Sequence, residues 1–270
     1  MDTQETTGTD GAGRTLSRRE LFPLAGKLAV GGVGLAAVTG IGLAGCGTEE
    51  PQSAGTAGNG ASSSEWPWPY EKLNPSEVQP LAYESWYEKY CCYAVTNSIL
   101  RPLQKSIGAP YTNFPIESTK WGHGGAVGWG TLCGTLTGVG IVTGLVAGED
   151  GEDILNDVMN WYTVSALPNY QPPEPRTAIS SISVSDSPLC HISVGKWMAK
   201  EGVPFASDPR KERCARLSAD VAAKTVVLLN DWVDGKYTAA GGSQVKKHPV
   251  GMPTQNNCVE CHGDDVPSSP

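Results

Sequence analysis

The chain has 270 residues and a formal net charge of −8, from 28 acidic and 20 basic side chains. That length allows one substantial domain with accessory segments. The acidic balance argues against a nucleic-acid partner and against a basic membrane-docking face. Eight cysteines are many for a chain without the dense, even spacing of a disulfide scaffold.

Residues 1–46 read as an export signal. Ser17-Arg18-Arg19-Glu20-Leu21-Phe22 has the twin-arginine pattern, and a Gly- and Ala-rich apolar run, Leu28 to Ala44, follows it. The run ends Leu43-Ala44-Gly45-Cys46, which resembles the bacterial lipobox and makes Cys46 the expected lipidated N-terminus of the mature protein. Residues 47–65 are Gly, Ser, Ala, Thr and Glu without apolar periodicity, the composition of a flexible tether. A cysteine carrying more than one acyl chain meets the condition for stable anchoring. The expected location is therefore periplasmic or cell-surface, on a membrane by its lipid. The twin-arginine route exports folded proteins, which suits one that receives a metal cluster in the cytoplasm.

Residues 66–236 form the expected folded body, and it reads as all-α. Trp66-Pro67-Trp68-Pro69 cannot be helical and suggests an extended strap on the domain. From about Leu81 to Ile107 apolar residues recur at helical spacing, with Pro102 placed to kink the end. Cys91 and Cys92 lie within it on adjacent faces, so at most one can point at any given site. Ala126 to Gly148 carries no charge and is long enough to span a bilayer. Its poverty in Leu and Ile and its scattered threonines favour a buried central helix that neighbours can approach closely. The acidic run Gly148 to Asp153 lacks the spacing of a calcium loop and reads as the start of a helix reaching about Ser165. A Pro-rich loop and a Ser-rich segment lead to a short helix opened by Cys190-His191 and closed at Glu201-Gly202. Ser207-Asp208-Pro209 caps a last long helix with a broad apolar face to about Trp232. No strand pattern of any length is present.

Residues 237–270 contain Cys258-Val259-Glu260-Cys261-His262, the C-x-x-C-H signature of covalent c-type haem attachment. Two thiols one helical turn apart suit the two vinyl groups of a haem, and the adjacent imidazole becomes the proximal iron ligand. Half of a zinc site or a structural disulfide are the competing readings, but a tetrahedral zinc wants another nearby Cys or His pair, and only His248 is close in sequence. His262 is the expected proximal ligand. For the sixth position the order is His248, in the Lys246-Lys247-His248-Pro249 loop, then His123, then Met252. His248 could equally serve the other subunit of a dimer. His191 is better suited to a hydrogen bond around a neighbouring metal centre.

In the body, Cys91 or Cys92, Cys133, Cys190 and Cys214 lie one on each of four expected helices. Buried core thiols and a disulfide pair are the alternatives. In an exported haem protein, four thiolates converging between helices supply the ligands of an iron–sulfur cluster.

Cys133-Gly134-Thr135-Leu136-Thr137-Gly138 resembles the C-G-A-x-x-G core of a redox-active family named for its C…GCAxxG…C…C cysteines, departing from it at Thr135, where that family has Ala. Cys91-x-x-Ala94-Val95 resembles the first cysteine segment of the family, and Cys190 and Cys214 fall where its last two cysteines would lie. That aligns Cys91 and makes Cys92 an extra. With the C-terminal motif and the export signal, the chain from about Leu81 to His262 resembles the split-Soret cytochromes c. The resemblance implies an all-helical subunit that holds an iron–sulfur cluster, here expected as 2Fe-2S, and haem c. It further implies a homodimer with haems close together across the interface. A single C-x-x-C-H supports one covalent haem per subunit, which departs from any arrangement needing two. The expected function is electron transfer between cluster, haem and partner redox proteins. The alternative is an enzyme: a haem-dependent oxidoreductase acting on a small oxyanion or peroxide, or a dithiol protein using Cys91 and Cys92. No independent catalytic constellation is legible.

Overall fold

The computed structural model describes residues 65–241, together with the backbone of two short strands near the N-terminus. The chain divides into two units, residues 1–59 and 60–270. In the first, Gly8–Thr9 pairs antiparallel with Thr15–Leu16. The described residues of the second are mostly helical, as their periodicity suggests, and their strand content is limited to a two-residue pair, Ala166–Leu167 with Ser183–Val184.

Five helices build the body: α1, Pro75–Ser106; α2, Gly134–Ala147; α3, Gly151–Val164; α4, Cys190–Glu201; and α5, Asp208–Val233. Helix α1 starts earlier than its apolar spacing indicates because Asn74 caps it. The Asn74 side chain accepts from Ser76 N at 3.1 Å, with Pro75 in the first turn, where a missing N–H costs nothing. Pro102 leaves the helix unbroken; the break comes at Lys89 and Tyr90, where Tyr90 has φ 69° and ψ −165°. Glycine alone adopts that region readily, so the break is strained, at a cost on the order of 1–3 kcal/mol. It makes Cys91 the first residue of a second helical segment.

The expected central helix is real but shorter than the uncharged run that announces it. Residues 124–130 form a tight loop instead, with positive φ at Gly124, Gly125, Ala126, Val127, Gly128 and Gly130. The glycines that argued for a buried helix here serve turns, and the helix begins only after Cys133. Helix α2 is then buried along most of its length, between α1, α3 and α5. Among the described residues no helix is long and apolar enough to cross a membrane.

The Trp-Pro strap lies across the end of α2: Trp68 N donates to Leu145 O at 2.8 Å and Trp66 Nε1 to Gly144 O at 2.7 Å. Asn230 of α5 holds the next stretch, accepting from Tyr70 Oη at 2.9 Å and donating to Leu73 O at 2.8 Å. Helices α1 and α5 form the most extensive pair. Their seam is not uniformly apolar. Glu212 is fully buried and accepts from Tyr83 Oη at 2.8 Å, Tyr87 Oη at 2.6 Å and Arg216 Nε at 2.8 Å. A charge survives there because three donors, one of them a guanidinium, engage both of its oxygens. After α5 the chain is clamped by Asp157, which accepts from Tyr237 Oη at 2.8 Å and Ala240 N at 3.0 Å.

Candidate metal centre

Cys91, Cys133, Cys190 and Cys214 come from four separate stretches, and the fold brings all four together. Three of them open helical segments: Cys91 follows the α1 break, Cys133 is the N-cap of α2, and Cys190 is the first residue of α4. The partial positive charge of a helix N-terminus favours the thiolate form. The starts of α2 and α4 are locked side by side by backbone bonds. Cys133 N donates to Pro188 O at 2.9 Å, and Cys190 N to Thr131 O at 2.7 Å, around the bridge Leu132–Leu189. Gly134 lets α1 reach this pair: a Cβ there would overlap the Gly122 carbonyl and come within 2.9 Å of Cys91 Cβ. Cys214 arrives from the second turn of α5.

The thiols are buried or nearly so, and none is in a disulfide. Cys91 and Cys190 both feel their neighbours. Burial, with Cys214 and Cys133 alongside, pushes the Cys91 thiol up to about 12, although Trp86 and Gly124 offset part of that. Burial and the neighbouring Cys133, Cys214 and Cys91 push Cys190 upward too, with Arg213 opposing. Thiols raised as those of Cys91 and Cys190 are stay protonated near neutral pH, and a bound metal deprotonates coordinating thiols outright. Among the described residues no three Cys, His, Asp or Glu side chains converge as tightly as a single metal ion requires. A sulfide-bridged iron core spaces its thiolates more widely, so the donor set fits a cluster better than a lone ion.

Three of the thiols each meet a polar side chain. Trp86 Nε1 donates to Cys91 Sγ at 3.3 Å, and Thr135 Oγ1 lies 3.2 Å from Cys133 Sγ. Thr135 is the position where the chain departs from the C-G-A-x-x-G pattern, and its hydroxyl meets the sulfur of the motif cysteine. Arg213 Nη1 is 4.0 Å from Cys214 Sγ. Cys92 is turned away from Trp86 and packs on Gly122, where an added Cβ would lie 2.9 Å from Cys92 Sγ. Burial pushes its thiol up to about 12. As adjacent faces of one helix require, Cys91 lies beside Cys133 and Cys214, while Cys92 lies against Gly122 and Thr119 with Cys133 alone nearby.

His191 is exposed and rests its Cβ over Gly130, and His123 places its ring 5.3 Å from that of Tyr90. Cys46, His248, Met252, Cys258, Cys261 and His262 lie outside the described residues.

A family profile described as "Putative redox-active protein (C_GCAxxG_C_C)" matches residues 89–228, a span that includes all four thiols. The split-Soret cytochrome c of Desulfovibrio desulfuricans is 32% identical over 258 residues, covering 92% of this chain and 87% of that one. The chain belongs to the split-Soret cytochrome c family. A solved structure of that bacterium's split-Soret cytochrome c, described as having a novel iron centre, superposes with a TM-score of 0.62 at 33% identity, covering 66% of this chain and 77% of the other. Membership of this split-Soret family gives the chain a redox, electron-transfer role.

Sequence reasoning names the four thiols but misses what holds them. Trp86, Tyr162, Ser193 and Arg213 all take part in the centre's surroundings, and Arg213 carries the one local signal, adjacency to Cys214. Tyr162 and Ser193 read as ordinary apolar-face and helix-surface positions, since nothing in sequence tells that their helices meet.

Proposed function

We propose that this protein relays single electrons between an iron–sulfur centre, a covalently bound haem c and partner redox proteins outside the cytoplasm. The observation that carries the reading is the convergence of Cys91, Cys133, Cys190 and Cys214, buried or half-buried, from four separate stretches of chain. An iron–sulfur centre there supplies reversible one-electron chemistry. The chain's own residues do the rest. Four thiolates hold it, Trp86 donates to the sulfur of Cys91, and burial keeps water from Cys133 and Cys214. The 2Fe-2S type is the expected form. Cys258 and Cys261 are the proposed haem attachment points, with His262 proximal and His248 the leading candidate opposite it. The relative's name and its iron centre support both cofactors. Cys46 is proposed as the lipid anchor of an exported protein, and a homodimer as its assembly.

The dithiol alternative gains little from the geometry, since Cys92 packs against Gly122 and Thr119, with only Cys133 of the four thiols near enough to act on it. The haem-dependent oxidoreductase reading rests on an open iron position. One set of measurements tests the proposal. Metal and sulfide analysis of the purified full chain should find iron in excess of haem, with acid-labile sulfide. Cys133→Ser or Cys214→Ser should abolish the non-haem iron and leave haem attachment intact, and Cys92→Ser should matter less than Cys91→Ser. Iron equal to haem would return the thiols to the core. Low-spin haem that ignores carbon monoxide favours the relay; high-spin haem that binds it readily moves the enzyme ahead.

A further inference from the structure

Arg213 is 1% exposed, yet no carboxylate pairs with it among the described residues. Its neighbour Glu212 is spent on Tyr83, Tyr87 and Arg216. Arg213 Nη2 instead donates to Ser193 Oγ at 2.7 Å and Ser193 O at 3.3 Å, and Nη1 reaches Cys214 Sγ at 4.0 Å. Its Nε has no partner at all. Ser193 lies one turn beyond Cys190 on α4, and its Oγ also accepts from Tyr162 Oη at 2.7 Å, so the contact is braced from α3, α4 and α5 together. A guanidinium stays charged under all ordinary conditions. Burying one without an anion is strongly destabilising. Asp220, two turns on in the same helix, is near enough to interact weakly, but its oxygens accept from the Asn169 and Tyr170 N–H groups. The sulfur of Cys214 is the anion-forming group in contact with the guanidinium.

We propose that Arg213 is the fixed counter-charge of the thiolate centre and a positioning residue that sets its reduction potential. The inference rests on the reading of the four thiols as holding an iron–sulfur centre. Four thiolates outweigh the charge of a small iron–sulfide core, so the assembly is an anion before and after it gains an electron. Reduction adds one electron and one further negative charge. A cation held beside Cys214 in a water-poor interior lowers the cost of that added charge, and salt screens it little because it is buried. Ser193 and Tyr162 fix where the cation sits.

The experiment is a redox titration of the centre in full-length protein, followed by electron paramagnetic resonance, with iron and sulfide quantified in each sample. Arg213→Gln keeps much of the side chain's length and removes the charge; Arg213→Lys keeps the charge. Arg213→Gln with undiminished non-haem iron should be harder to reduce by at least about tenfold, or about 59 mV for one electron, at low and high salt alike. Arg213→Lys should stay much closer to the unsubstituted protein. If Arg213→Gln fails to hold the cluster while Arg213→Lys holds it, the charge is needed to keep the thiolates together, and the proposal stands. It is overturned if loaded Arg213→Gln keeps its potential, if Arg213→Lys shifts as far as Arg213→Gln, or if both lose their iron, since shape would then be the requirement. Acid-labile sulfide missing from the unsubstituted protein overturns the iron–sulfur reading itself, before any variant is compared.

Discussion

Gly134 is where packing and helix propensity make opposite demands. It opens α2 directly after Cys133, and an added Cβ would overlap the Gly122 carbonyl and stand 2.9 Å from Cys91 Cβ. Propensity alone favours alanine over glycine by up to about 1 kcal/mol. Overpacking costs about 1–3 kcal/mol, and the upper end applies because the obstacle is backbone that cannot rotate aside. Gly134→Ala should therefore lose about 2 kcal/mol net, a fall in Tm of about 4–8 °C for a body of this size. Gly144 lies in the same helix with nothing within 4 Å of its would-be Cβ. Gly144→Ala should gain about 0.5–1 kcal/mol and raise Tm by about 1–4 °C. Thermal unfolding followed by circular dichroism reads both, and non-haem iron should fall in the first variant only. A Gly134→Ala protein at or above the unsubstituted Tm would refute the close approach of Gly122, Cys91 and α2.

Three further outcomes are expected. Glu212→Ala leaves Arg216 buried without its partner and strips two tyrosine hydroxyls of an acceptor, at a cost of about 3–5 kcal/mol in denaturant unfolding; a midpoint near that of the unsubstituted protein would mean the network is not closed as described. Burial pushes Asp220 up to about 6 from an ordinary value of 3.8, against the pull of the Asn169 and Tyr170 backbone N–H groups and, more weakly, Arg213 and Arg216. Its folded pKa is the higher one, so its contribution is full below about pH 4 and is lost as pH rises through about 6, amounting to about 3 kcal/mol at most. Urea unfolding across that range should slope less in Asp220→Asn, and equal slopes in the two proteins would contradict the shift. Cys46→Ala should leave folding intact and release the exported protein from membranes; an unsubstituted protein already fully soluble after export removes the lipid anchor.

Much of the fold was legible because helices announce themselves locally. The start of α4 at Cys190, the Gly202 cap with φ 74°, and the Ser207 cap of α5 all lie where the residues place them. Apolar spacing alone places the start of α1 near Leu81, because the turn that Asn74 and Pro75 cap carries few apolar residues. The break at Tyr90 was not legible, because no glycine or proline marks it and only tertiary packing can hold tyrosine in that conformation. The Gly-rich stretch before α2 misled for a related reason. Absence of charge suggests burial, but this loop carries Val127 and Trp129 at 63% and 84% exposure, so here it signals neither a helix nor a core. The thiols were legible as a set because cysteine is scarce and its spacing carries a family pattern. Their surroundings were not, since Ser193 and Tyr162 matter only through the meeting of α3, α4 and α5.

The thiols are drawn from positions 91, 133, 190 and 214, so a cofactor bound by all four would close three loops of chain at a single point. Disulfides of that span act largely by restricting the unfolded chain, and a cluster would act in the same way on more segments at once. It differs in being assembled from parts that are lost when the chain opens. Unfolding of the loaded protein would then run one way: the first excursion that exposes the centre sheds iron and sulfide, and refolding returns only the empty form. The durability of the loaded protein would be governed by how rarely the α1–α5 seam opens, and its apparent Tm would move with heating rate while that of the empty protein stayed put.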